Sequence, residues 1–122
     1  METIDLLDAV KAELDEQRKR YMAAYLDALG LGDLSRTDEK EEFDRIEKGF
    51  HDLREKCRKK ENEIEPLREQ NKEEYVSQMV ELCDEEAKAF SKLTGDLKAL
   101  VHEVNLRRAS MSLSNMGLDR KK

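Results

Sequence analysis

The chain of 122 residues carries 43% charged side chains against 38% hydrophobic ones, with a formal net charge of -6, one Pro and no Trp. Its length is enough for one domain, and its composition excludes a wide globular core but allows a narrow bundle of helices. An acidic chain is a poor ligand for nucleic acid and for anionic membranes, and no segment approaches the ~20 apolar residues that span a bilayer.

The first predicted helix covers about residues 4–29 and ends at the sequence Gly30-Leu31-Gly32. The N-terminal segment from Met1 to Val10 begins acidic and lacks the basic and apolar regions of a signal peptide, which predicts an intracellular, cytoplasmic protein. Charged helical hairpins of the kind described below also occur in cytoskeletal assemblies, so an association with the cytoskeleton is a further expectation. The apolar residues of the first helix recur at intervals of three and four, which indicates one buried stripe. These residues are Leu7, Val10, Leu14, Tyr21, Ala24, Tyr25 and Ala28.

The second predicted helix covers about residues 38–65, because Pro66 lacks the amide donor that a continuing helix needs. A seven-residue repeat runs along it, which is typical of a coiled coil. The repeat places Phe43, Phe50, Cys57 and Ile64 in one row and Ile46, Leu53 and Lys60 in the other, where Lys60 breaks the pattern.

The third predicted helix covers about residues 74–113 and follows a polar stretch that indicates a turn. It has a seven-residue repeat of its own, with Gly95 as a place where it could bend. Its two rows are Val76, Cys83, Phe90, Leu97, Val104 and Met111, and Val80, Ala87, Thr94 and Val101.

The two repeats match if the second helix folds back on the third around residue 70. Residues equidistant from the turn then form mostly apolar layers, such as Phe50 with Phe90 and Cys57 with Cys83. The same register places Arg54 beside Asp84 and Lys56 beside Glu86, which predicts two ion pairs. An antiparallel homodimer of straight rods satisfies the same pairing, but Pro66 favours the hairpin within one chain.

The sequence therefore predicts an all-α fold, a three-helix bundle built on an antiparallel coiled-coil hairpin with a long overhanging third helix. We expect the first helix to pack antiparallel to the second and to complete one domain over residues 1–113. Residues 114–122 are expected to form a flexible basic tail. Over residues 105–122, five basic side chains against one acidic give a charge of +4.

The third helix is expected to extend past its partners by three or four turns. The apolar residues on this overhang are Leu100, Val101, Val104 and Met111. An exposed apolar row on a helix usually marks an interface, so we predict that the chain self-associates or binds a partner helix at this place. A frayed or bent helix end is the alternative.

Side chains that could carry chemistry are few and scattered. His51 and His102 have no constellation with metal-ligand spacing around them. Cys57 and Cys83 share a predicted core layer, which favours buried free thiols over a disulfide. We therefore predict no enzyme activity, no cofactor and no metal site.

The segment Leu106 to Ser110 reads Leu-Arg-Arg-Ala-Ser, which resembles the Arg-Arg-x-Ser sites of basophilic, cyclic-nucleotide-dependent kinases. Arg107 and Arg108 would then be the recognition residues and Ser110 the phosphate acceptor. The alternative is a basic helix end that complements the helix dipole.

Two classes of function fit these features. The first is a non-catalytic coiled-coil interaction module, a scaffold or assembly subunit of an intracellular complex that binds through the overhang. The second is a regulatory or chaperone-like helical binding protein that is switched by a kinase at Ser110.

Overall fold

The computed structural model describes the backbone of residues 3–115 and the side chains of residues 5–112. It contains three long helices, α1 (Thr3–Leu29), α2 (Thr37–Ile64) and α4 (Lys72–Asn115), and one short helix, α3 (Leu67–Gln70). The residues described include no strand. The prediction of an all-α bundle with a long third helix is confirmed, with α4 in the place of that helix.

The hairpin turn lies between Ile64 and Lys72, close to residue 70 as predicted. Pro66 follows the end of α2 and starts α3, because a proline ring is compatible with the first turn of a helix but not with its interior. Asn71 then leaves the helical conformation, and its side-chain oxygen accepts a hydrogen bond of 3.2 Å from the Glu74 amide. Such a cap starts α4 in the reverse direction.

Helix α1 lies mainly on α4 and runs parallel to it. Arg18 meets Glu86 near the middle of both helices, and Leu31, just after α1, meets Arg108. We expected its chief partner to be α2, to which it is antiparallel. Its contacts with α2 are concentrated in aromatic side chains, since the ring of Tyr21 stacks on that of Phe50 with 4.9 Å between centroids.

The pairing of α2 with α4 follows the predicted register at its centre. The rings of Phe50 and Phe90 lie 6.0 Å apart, centroid to centroid, as predicted. Other contacts between the two helices lie close to this register, since Arg45 pairs with Asp96 and a Cβ at Gly49 would lie 3.3 Å from Leu93. The predicted hairpin is thus an α2–α4 hairpin with a third helix laid on α4.

The two predicted ion pairs between α2 and α4 are wrong. Asp84 pairs with Lys88 of its own helix, and Glu86 pairs with Arg18 of α1 at 2.9 Å. Arg54 and Lys56 form no ion pair with either carboxylate. The reason is the position of α1, which brings a guanidinium to Glu86 from the opposite side.

Replacing two glycines by Ala tests the backbone conformation of this fold, because we expect the two substitutions to change the free energy of unfolding in opposite directions. Gly95 lies inside α4, which continues through it unbroken, and a Cβ there would meet no atom within 4 Å. We expect Gly95→Ala to raise the free energy of unfolding by about 0.5–1 kcal/mol, since it lowers the entropy of the unfolded chain. Gly32 has a φ of 73°, which lies in the left-handed region that disfavours a side chain. Gly32→Ala should therefore lower the free energy of unfolding by about 1 kcal/mol.

Urea unfolding followed by circular dichroism measures both changes. A stabilised Gly32→Ala variant, or a destabilised Gly95→Ala variant, would contradict the conformations of these two residues.

Candidate partner-binding surface

The four residues of the predicted overhang interface do not form one exposed surface. Leu100 and Val104 are only 3% and 0% exposed, and Val101 is partly buried, whereas Met111 is 53% exposed. The expectation that Leu100 and Val104 lack cover within the chain is therefore wrong. Helix α1 and the loop after it reach this level of α4, and Leu31 and Leu34 of that loop pack against the same core.

Hydrogen bonds from Arg107 and Arg108 hold the loop between α1 and α2, and the first turn of α2, against α4. Arg107 Nε and Nη2 donate hydrogen bonds of 2.8 Å to the two carboxylate oxygens of Glu39, in the first turn of α2. Arg108 donates to the backbone carbonyls of Leu31 and Asp33, at 2.7 and 3.1 Å. We call these contacts of Arg107 and Arg108 the clasp.

The clasp depends on the charge of Glu39. Its hydrogen bond with Arg107, together with the charge of that guanidinium, lowers the pKa of Glu39 below its ordinary value. A carboxyl group with a lowered pKa in the folded state adds stability above its unfolded pKa of about 4.3, and this stability is lost as the pH falls. The Arg107–Glu39 part of the clasp is therefore at full strength at neutral pH and weakens in acid.

Beyond the clasp, α4 continues to Asn115. The described part of this overhang is about two turns long, compared with the three or four turns that the sequence predicted. Ser110 and Met111 lie on it and are exposed, and Arg107 Nη1 lies 3.4 Å from the Met111 sulfur. Residues 114 and 115 are helical, and the rest of the expected basic tail, 116–122, lies outside the described residues.

A row of exposed apolar side chains runs along the outer face of α1. Met22, Leu26 and Leu29 are 49%, 59% and 50% exposed. Their spacing of four and three residues places them on one side of the helix over two turns. We call these three residues the α1 stripe.

A shallow groove of about 260 Å³ adjoins the stripe where α1 gives way to α2. Leu29 belongs to both, and Leu34 and Phe43 supply further apolar surface. Lys40 and Asp44 of α2 also line the groove. The stripe and the groove together form a surface with both apolar and charged side chains, and an amphipathic helix could bind such a surface.

A second, polar cleft of about 640 Å³ opens between the helices, closer to the hairpin turn. Arg18, Cys57 and Glu86 line it, and the Glu86 carboxylate, which is 2% exposed, already binds Arg18. Burial, with the nearby charge of Glu86, raises the pKa of the Cys57 thiol to about 11. This thiol stays protonated at neutral pH and is a poor nucleophile.

The remaining candidate residues are the two cysteines and the two histidines. Cys57 and Cys83 are free and buried, as the sequence predicted. His51 and His102 are exposed. Across residues 5–112, His, Cys, Asp and Glu side chains form no group of three or more that could hold a metal ion. None of the helices described combines the length and apolar character needed to cross a membrane.

The sequence contained a signal for the α1 stripe that our sequence analysis did not use. Met22, Leu26 and Leu29 repeat at helical spacing beside the predicted buried stripe of the same helix. The residues of the predicted buried stripe are buried or partly buried in the structure, which leaves this second row facing outward. Comparison with protein-family models, with curated proteins and with solved structures finds no significant match.

Proposed function

We propose that the chain is a non-catalytic helical interaction module, a scaffold or assembly subunit of an intracellular protein complex. The observation that carries this proposal is the α1 stripe. An amphipathic helix of a protein partner would bind along Met22, Leu26 and Leu29 and place its own apolar side chains in the adjoining groove.

Three features support this surface over the predicted overhang. The side chains of the α1 stripe are about half exposed, whereas Leu100 and Val104 are already covered by the chain itself. A single exposed Leu is ordinary on a protein surface, but three on one helix face within two turns form a patch that a partner would cover. Spacing of four and three residues is also how helices present anchors in helix-groove recognition.

Charge at the edges of the groove favours a particular kind of partner helix. Lys40 lies at the edge with Asp33 and Asp44 close by, so the groove presents both signs of charge. A partner helix with apolar anchors flanked by one acidic and one basic side chain would meet complementary charges. Such charges at the rim add specificity and association rate more than affinity.

Another copy of this chain is the second possible occupant of the stripe. Two α1 helices in antiparallel orientation would place Met22 of each near Leu29 of the other, across a twofold axis close to Leu26. Light scattering coupled to size exclusion separates the cases, since self-association gives a mass that rises with concentration and a partner helix does not.

The experiment that tests the proposal compares two matched substitutions. Leu26→Asp places a charge in the α1 stripe, and Leu106→Asp places one at a similarly exposed position, 57% against 59%, on α4. We expect Leu26→Asp to lower specific partner capture, or self-association, more than tenfold, because a buried unpaired charge costs several kcal/mol. Leu106→Asp should leave it unchanged.

A third variant, Met111→Asp, tests the end of α4 directly. If Met111→Asp removes binding and Leu26→Asp does not, the partner binds at the overhang and the α1 stripe is the wrong surface. All three positions are exposed, so circular dichroism should show the same helix content and the same unfolding midpoint for each variant.

A further inference from the structure

Ser110 is the residue of the possible kinase motif that would accept the phosphoryl group. It is exposed on α4, three residues after Arg107 and two after Arg108. Two guanidinium groups at this distance before a serine are what the acidic substrate pocket of a basophilic protein kinase recognises. The sequence therefore presents an acceptor with its recognition residues.

In the folded chain, however, both recognition residues are occupied. Arg107 is held by two hydrogen bonds to Glu39, and Arg108 by two backbone carbonyls of the loop after α1. A kinase pocket would have to take both guanidinium groups away from these acceptors. Recognition of Ser110 by such a kinase therefore requires the clasp to open.

We propose that Ser110 is a phosphorylation site that the clasp controls. When the clasp opens, a basophilic kinase binds Arg107 and Arg108 and transfers the terminal phosphoryl group of a nucleoside triphosphate to Ser110 Oγ. The new Oγ–P bond replaces the bond from that phosphorus to the bridging oxygen. The nucleoside diphosphate leaves, and the hydroxyl proton passes to solvent.

The phosphate then keeps the clasp open. Residues three apart on a helix are neighbours, so the phosphate on Ser110 reaches Arg107 with about two negative charges against the one charge of Glu39. Placed in the last turns of α4, it also opposes the helix dipole and repels the acidic first turn of α2, which holds Asp38 and Glu39. The loop between α1 and α2 is released from α4 as a result.

Substitutions of the two partners in the Arg107–Glu39 ion pair test this proposal. Glu39→Gln and Arg107→Ala both remove the Arg107–Glu39 ion pair and so weaken the clasp, but only Glu39→Gln leaves the kinase recognition residues intact. With purified full-length chain, a purified cyclic-nucleotide-dependent kinase and magnesium ATP, we expect Glu39→Gln to raise the initial rate of phosphate incorporation several-fold over the wild type. Arg107→Ala should lower the rate several-fold, and Ser110→Ala should abolish incorporation.

The opposite signs separate recognition from simple loosening of the structure, which would change both rates in one direction. Equal rates for Glu39→Gln and the wild type, incorporation that persists in Ser110→Ala, or no incorporation into any variant would each overturn the proposal. No partner takes part in this assay, so its outcome does not depend on the proposed function of the α1 stripe.

A second measurement addresses the effect of the phosphate. Amide hydrogen exchange in residues 31–39 should be faster in the phosphorylated chain than in the unmodified chain, and to a similar extent in Glu39→Gln. Unchanged exchange after phosphorylation would show that the phosphate leaves the clasp closed, which overturns this half of the proposal.

Discussion

Replacing Phe90 by Ala should lower the free energy of unfolding by about 3–5 kcal/mol, the range for deleting a buried aromatic side chain. Phe90 is 1% exposed and stands where the three long helices meet. Its ring lies 5.6 Å from that of Tyr21 on α1 and 6.0 Å from that of Phe50 on α2, centroid to centroid. Its removal leaves a cavity that neither neighbour can fill without moving its helix.

Phe43→Ala provides the matched control. Phe43 is only partly buried and its ring contacts that of Tyr25, with 5.8 Å between centroids. We expect a loss of about 1–2 kcal/mol, since part of the side chain is already in water. Urea unfolding measures both variants, and similar losses for Phe43→Ala and Phe90→Ala would refute the central position of Phe90.

The Arg18–Glu86 ion pair should show the second large effect. The Glu86 carboxylate is almost completely buried, so Arg18→Met leaves a charge in the bundle without its partner. We expect a loss of about 3 kcal/mol, at the low end of the range for a broken buried pair because Arg18 itself is partly exposed. Replacing Glu86 by Met as well should recover most of the loss, because the charge is then gone.

Arg20→Met is the control for this pair. Arg20 binds Glu16 on the exposed side of the same helix, so its loss should cost less than about 1 kcal/mol. Chemical denaturation of Arg18→Met, Glu86→Met and the double variant Arg18→Met/Glu86→Met gives the coupling between the two charges, and Arg20→Met is measured beside them. If Arg18→Met costs no more than Arg20→Met, the pair does not hold α1 on α4.

Local features of the sequence predicted the α2–α4 hairpin well. The seven-residue repeats indicated which faces of the two helices are buried, and Pro66 marked where the first of them ends. The repeats and the position of Pro66 together predicted the layer of Phe50 and Phe90, because these two residues are equally far along the chain from the turn. Such information is contained within each helix and needs no knowledge of the third.

The position of α1 could not be predicted in the same way. Its apolar residues indicate a buried stripe, but the same stripe fits against α2, against α4 or between them. The error has consequences elsewhere, because α1 supplies the partner of Glu86 and the loop after α1 covers Leu100 and Val104. Arg107 and Arg108 were therefore assigned to a kinase motif or to a basic helix end, although they also hold that loop on α4.

Photo-crosslinking tests most directly whether the α1 stripe is the binding surface. A photoreactive phenylalanine analogue is placed at Leu26 in one variant and at Leu106 in another, and both are irradiated in a cell extract. The proposed interaction module predicts a discrete adduct with one polypeptide, a partner or a second copy, from Leu26 only. No adduct from Leu26, or the same adduct from Leu106, would contradict it.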